Sequence, residues 1–117
     1  MLRGMIADVV AALENGASQY EEGAGRFAQV AGLKYTVDPA AAAGSRISDV
    51  MVRGGDGWVP IDPAATYGVV SNNYMRNGGD GYSAFAQGRE NFVNTGLLDS
   101  QAVEDYARAR TITRDFA

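Results

Sequence analysis

Residues 71–82, SNNYMRNGGDGY, gather an aromatic ring, amides, glycines and a carboxylate into one short stretch. These groups do not suggest bond-breaking chemistry; they suggest binding. Tyr74 offers a flat face for stacking, and Asp80 offers two oxygens to hydroxyl donors. Gly78, Gly79 and Gly81 can take positive φ or admit another molecule close to the backbone. Read without other information, the same residues also fit an ordinary tight turn, with Asp80 capping the next helix and Tyr74 filling the core.

The elements that must position this loop can be read from periodicity. Thr66, Tyr67, Val69 and Val70 predict a strand running into it. Met5, Ile6, Val9, Val10 and Leu13 recur at helical spacing, with Arg3, Asp8 and Glu14 elsewhere on the wheel. They predict an amphipathic opening helix, which Asn15 and Gly16 can end. Residues 17–26 carry no periodic pattern and read as an exposed loop, with Phe27 at its far end. Leu33, Tyr35 and Val37 alternate with Lys34, Thr36 and Asp38, which predicts a strand buried on one face and stopped by Pro39. A second strand over residues 46–52 leads to a hairpin turn at the first GGDG, residues 54–57, from which Trp58 and Val59 return. Pro60, Asp62 and Pro63 mark another turn. After the loop, Tyr82 and Phe85 start a short helix. A final helix begins at Asp99 or Ser100 and places Val103, Tyr106, Ala107 and Arg110 on one face, with Ile112 and Phe116 packing the tail.

Composition limits the chemistry further. The chain has 117 residues, 46% hydrophobic and 21% charged, which fits a single domain with its own core. A net charge of −4 argues against a nucleic-acid partner, because phosphate backbones attract basic faces. The absence of cysteine and histidine excludes thiol and His-based catalysis and the usual zinc sites, so a metal would need oxygen ligands alone. No apolar run is long enough to span a membrane, and MLRGMIADVV lacks the hydrophobic core of a signal peptide. The two GGDG segments match neither an EF-hand nor a glycine-rich calcium repeat of about nine residues. They read as two independent turns.

Three blocks in order, GRFAQVAGLKYTVDP, GSRISDVMVRGG and WVPIDPAATYGVVSNNYMRNGGDGY, resemble the C-terminal domain of the 5'-nucleotidase family. That family includes UDP-sugar hydrolases, 2',3'-cyclic-nucleotide phosphodiesterases and ecto-5'-nucleotidases. The resemblance runs from about Leu2 to the last helix near Tyr106. It implies an α+β fold, a mixed sheet with flanking helices, in which the domain is entered part-way along and forms one unit over residues 1–117. It also implies a substrate-recognition surface rather than a catalytic one. Phe27 and Tyr74 match the two rings that hold a nucleobase, the second being more often phenylalanine. Asp80 matches the carboxylate that accepts from ribose hydroxyls, with Asn77, Gly78 and Gly79 beside it. Stacking of this kind contributes about 1–3 kcal/mol per base and tolerates any base.

The same resemblance implies that the two divalent metals of full-length relatives lie in a separate metallophosphoesterase domain, not in this chain. Alone, the chain is expected to bind nucleotide or nucleoside without hydrolysing it. Relatives of this kind are periplasmic or secreted. A sheet edge left unpaired is expected to recruit a second copy, giving a homo-oligomer. The competing expectation is an interaction or structural module without ligand-binding function. A self-sufficient enzyme built on Asp56 and Asp80 is disfavoured by the scatter of its carboxylates. Arg26 and Arg76 lie near the proposed site in sequence and could meet a phosphate.

Overall fold

The computed structural model describes residues 2–62, 64–86 and 95–110. Strand β1 (Leu2–Met5) passes without a linker into helix α1 (Ile6–Ala17), whose alanines and leucine favour the helical state. The expected helix is therefore present, but it runs past Asn15 and Gly16. Its inner face is built from Ala12, Leu13 and Ala17, all buried, and these join Val50 and Tyr82 to form a small core.

Strands β2 (Leu33–Val37), β3 (Ile47–Gly54) and β4 (Gly57–Pro60) form an antiparallel sheet in the order β2-β3-β4. A second antiparallel pair joins β1 to β5 (Thr66–Val69), with Leu2 opposite Val69 and Met5 opposite Thr66. The α+β class expected from the sequence is what the chain forms. The mixed sheet of that expectation resolves into two separate sheets, and every described pairing is antiparallel. The alternation predicted for β2 holds, with Leu33, Tyr35 and Val37 half-buried between exposed neighbours. The hairpin at the first GGDG also holds: Gly54 pairs with Gly57 across Gly55 and Asp56. Trp58 stands on the outer face of this hairpin, with Lys34 Nζ 5.0 Å and Arg53 Cζ 5.3 Å from its ring centre.

One irregularity in β3 was not legible in advance. Lys34 pairs with Met51 and Thr36 with Ser48, so two residues of β3 face the single Tyr35 of β2. This is a β-bulge, and Asp49 takes it up with a φ of 50°. Aspartate tolerates the left-handed region better than most residues with a Cβ. Val50, the other residue of the bulge, is buried and becomes part of the core.

The polar end of α1 ties these parts together. Glu14, expected on the solvent side, instead accepts hydrogen bonds from the backbone N–H of Arg46 (3.0 Å) and Ile47 (2.8 Å) at the start of β3. Arg46 is only 6% exposed. Its guanidinium donates to the carbonyls of Ala17 (2.8 Å) and Ala41 (2.9 Å) and pairs with the Glu21 carboxylate. It thus satisfies a carbonyl at the helix C-terminus, where a cation also complements the helix dipole.

Helix α2 (Asn73–Arg76) is a single turn inside the loop after β5, and α3 (Ser83–Ala86) is the short helix predicted after Tyr82. Helix α4 (Asp99–Arg108) is exposed along its length. Asp99 Oδ1 accepts from the Ser100 amide at 2.7 Å, and Gln101 bonds Asp105 one turn on. Arg110 lies over the Tyr106 ring. The expected packing of Ile112 and Phe116 lies outside the described residues.

Replacing Arg46 with alanine is expected to lower the unfolding free energy by about 2–3 kcal/mol, because buried carbonyls lose their donor. Chemical denaturation followed by Trp58 fluorescence measures this, and Arg46→Lys should restore only part of it. The hydrogen bond from Arg46 holds the Glu21 carboxyl below the usual carboxylate range, helped by a backbone hydrogen bond. A folded-state value below the unfolded one gives stability that is present above the ordinary carboxylate pKa and lost as pH falls through the lowered value. The acid limb of a stability profile should therefore become slightly shallower in Glu21→Gln.

Candidate functional site

Asn72 starts the central loop by capping α2, its Oδ1 accepting from the Met75 N–H at 2.8 Å. This one-turn helix raises Tyr74 out of the loop to 58% exposure. The alternative in which Tyr74 fills the core is excluded. The chain then turns sharply through Gly78, Asp80 and Gly81, with φ of 93°, 54° and 79°. Asp80 lies inside a short 3-10 turn (Gly79–Gly81) in the left-handed region, and among the described residues the hydrogen bond its carboxylate accepts comes from the Tyr74 hydroxyl rather than from the next helix.

Gly79 is glycine for a steric reason. A Cβ there would fall 2.5–2.6 Å from atoms of the Tyr74 ring, so the ring lies directly on the backbone of residue 79. From this position the Tyr74 hydroxyl donates to Asp80 Oδ1 at 3.4 Å. Asn77 ends α2, its N–H bonded to the Asn73 carbonyl at 3.0 Å and its Oδ1 accepting from Arg76 at 3.4 Å.

Phe27 is borne by the loop on the other side of the helix end. It is 37% exposed, and Tyr20 packs beside it at a ring separation of 6.4 Å. Two phenols grip the backbone on either side of Phe27. Tyr82 donates to the Arg26 carbonyl, and Tyr35 donates to the Ala28 carbonyl at 3.3 Å. Burial pushes the pKa of both phenols above the ordinary tyrosine value, reinforced at Tyr82 by the nearby Tyr35 and Asp80 and opposed by Arg26. Both are therefore neutral donors at physiological pH. Phe85 stacks on Tyr82 at 5.5 Å and 12° and holds it in place.

The two ring-bearing loops meet at Asn15. Its Nδ2 donates to the Asp80 carbonyl at 2.9 Å, and its Oδ1 accepts from Arg26 Nη1 at 3.3 Å. The next residue, Gly16, leaves room for this meeting: a Cβ there would lie 2.9 Å from the Tyr82 hydroxyl and 3.3 Å from the Arg26 carbonyl. Arg26 is thus engaged with Asn15 rather than free to solvent.

Beside these loops lies an open cleft of about 770 Å³, lined mainly by apolar groups and reached by Phe27, Arg26, Asn72, Asp80 and Tyr82. Phe27 and Asp80 thus open into one space. Tyr74, Asn77, Gly78 and Gly79 do not line it; Tyr74 is connected to it through Asp80. Sequence reading missed Tyr20, which was assigned to a featureless loop, and missed Asn15, which looked like a helix stop. Tyr20 alone carried a signal, as a lone ring in a run of small and polar residues. Among the described residues, no group of three or more His, Cys, Asp or Glu side chains could hold a metal ion, and no helix is long and apolar enough to cross a membrane.

An α+β domain with its ring-bearing loops held at one helix end is the class that fold and cleft define. The chain belongs to the 5'-nucleotidase C-terminal domain family, whose model matches residues 7–87. It is similar to the crystal structure of a 5'-nucleotidase precursor from Thermus thermophilus, with 44% identity and a TM-score of 0.89 over 92% of this chain. It spans 21% of that protein's length. A search of curated proteins finds no match.

Gly16→Ala is expected to destabilise the fold by about 1–3 kcal/mol, since the steric conflict exceeds the gain in helix propensity. In a Tyr82→Phe background, where the nearest atom is gone, the same change should cost less. Denaturation of the two single variants and the double variant measures that difference. The phenolate absorbance of Tyr82 should rise only above pH of about 10, and the stability it contributes, present below that value, is lost as pH climbs through its raised pKa.

Proposed function

We propose that this chain is the nucleotide-recognition domain of a 5'-nucleotidase-like phosphohydrolase. A nucleobase stacks on Phe27 and Tyr74, and the ribose hydroxyls bond to the Asp80 carboxylate, with Asn77, Gly78 and Gly79 shaping the loop that carries them. The observation that supports this best is the shared anchor. Asn15 binds both the Asp80 backbone and the arginine preceding Phe27, so a stacking face and a hydroxyl acceptor are fixed relative to one another. Stacking supplies sequence-tolerant affinity, and a charge-assisted hydrogen bond supplies selectivity for the sugar.

Hydrolysis is assigned to another domain. A two-metal mechanism needs a cluster of ligands to activate water and clamp phosphate. With no histidine in the chain and no suitable acidic group among the described residues, the donor set here does not fit it. The chain's part in nucleotide breakdown is therefore to hold the substrate.

A second reading, self-association, is favoured by a separate observation. Leu97, Leu98 and Val103 are each about 70% exposed, and every residue of the edge strand β4 is exposed. Apolar groups and open strand edges of this kind recruit a second chain. A homo-oligomer is the expected state, and light scattering that shows only monomer at high concentration would remove this reading.

Calorimetric titration with AMP, adenosine and UDP-glucose tests the main proposal. Binding should weaken at least about fivefold in Phe27→Ala, in line with the loss of one stacking face. No detectable heat with any of the three at millimolar ligand would refute it.

A further inference from the structure

Tyr82 stands between two of the groups assigned to the nucleoside, and it is the most buried aromatic residue of the cleft, 3% exposed with its ring stacked on Phe85. Both of its ends are used. Its amide donates to the Gly79 carbonyl at 3.1 Å and closes the turn that carries Asp80. Its hydroxyl crosses to the other loop and donates to the Arg26 carbonyl. That oxygen belongs to the peptide group that ends in the Phe27 nitrogen; because a peptide group is planar, a bond to it orients the backbone that carries the Phe27 ring. Asn15 reaches this loop through the Arg26 guanidinium, at the end of a long side chain that transmits position poorly. Tyr35 holds the next carbonyl, that of Ala28, but it belongs to β2 and not to the Asp80 turn.

We propose that Tyr82 is a positioning residue of the nucleoside site, its hydroxyl fixing the Phe27 stacking face relative to the Asp80 carboxylate. This rests on the nucleoside reading above. A nucleoside joins base to sugar through one glycosidic bond, so it presents its flat face and its hydroxyls at a nearly set separation. A site whose two halves already stand at that separation does not have to order a loop when the ligand arrives. Without the hydroxyl, the Phe27 loop loses its direct tie to the residue that closes the Asp80 turn. Binding must then restore the constraint, and affinity falls although neither ligand-contacting group has changed. Gly16 belongs to the same device, since a Cβ there would lie 2.9 Å from the hydroxyl.

Tyr82→Phe keeps the ring, its stacking on Phe85 and its amide, and removes only the bond to Arg26. In the isotope-labelled 117-residue chain, amide relaxation and relaxation dispersion at Arg26, Phe27 and Ala28 should show new motion in this variant, with order parameters falling below the rigid-backbone value of about 0.85. Residues of β3 should be unaffected. Calorimetric titration with adenosine should show binding weakened about two- to tenfold, the range for one net hydrogen bond. Val50→Ala, which loosens the core without touching either loop, should bind adenosine as the parent does, and circular dichroism confirms that each variant is folded. Unchanged relaxation at residues 26–28 overturns the inference with no ligand needed. So does equal weakening in Val50→Ala, which would make the effect one of stability alone. If adenosine binds the parent, weakens in Phe27→Ala and yet binds Tyr82→Phe as tightly as the parent, this inference is wrong and the nucleoside reading stands. If adenosine binds no form of the chain, both are overturned.

Discussion

The structure depends on the last turn of α1. Glu14, Asn15, Gly16 and Ala17 are consecutive, and each holds a different part of the chain. Glu14 fixes the start of β3 through two backbone amides, and the Ala17 carbonyl receives the buried guanidinium of Arg46. Asn15 connects the loop of Arg26 to the loop of Asp80, and Gly16 provides the space in which Tyr82 reaches between them. The helix end thus works as a hub, because successive residues on a helix point about 100° apart and four of them face all directions around the axis.

Such a hub matters because the apolar core is small. Ala12, Leu13, Ala17, Val50 and Tyr82 are its buried apolar members among the described residues. Two of them are alanines from one helix face and contribute little area, so burial alone constrains the loops weakly. Each hydrogen bond at the hub contributes only about 1 kcal/mol net, but a buried group left without its partner costs more than that. The consequence is geometric specificity rather than great stability. Loops held by carbonyls and amides in fixed directions can carry exposed rings at defined positions, which an apolar contact, having no preferred direction, does not ensure.

Local pattern was enough to read the elements and not enough to read the hub. Alternation revealed β2, helical spacing revealed α1, and paired glycines revealed the β3–β4 turn, because each signal lies within a few neighbouring residues. Glu14 was placed off the apolar stripe of α1 and residue 46 only at the start of a strand; the two are 32 residues apart and only the fold brings them together. The bulge at Asp49 has no local signature beyond an aspartate, and the single turn of α2 is too short to show periodicity. In the candidate site, Phe27 and Asp80 were named through family resemblance, and spacing alone would have left Asp80 a turn residue. Tyr20 was passed over because its role, backing Phe27, is visible only once the loop is folded.

The glycines show the same division between local and long-range information. Gly78 follows from a left-handed turn and could be anticipated from the sequence around it. Gly16 and Gly79 have different causes: one lets a phenol pass the helix, and the other lets a ring lie on the backbone. Neither cause is conformational, and both concern a tyrosine that belongs to the site or supports it. A glycine in this chain is therefore informative when its backbone angles do not require it, because the missing side chain then marks where another group must fit. By that criterion Tyr74 and Tyr82 are the two residues around which the loops were shaped, and their hydroxyls, one on Asp80 and one on Arg26, link the position of each ring to the polar atoms beside it.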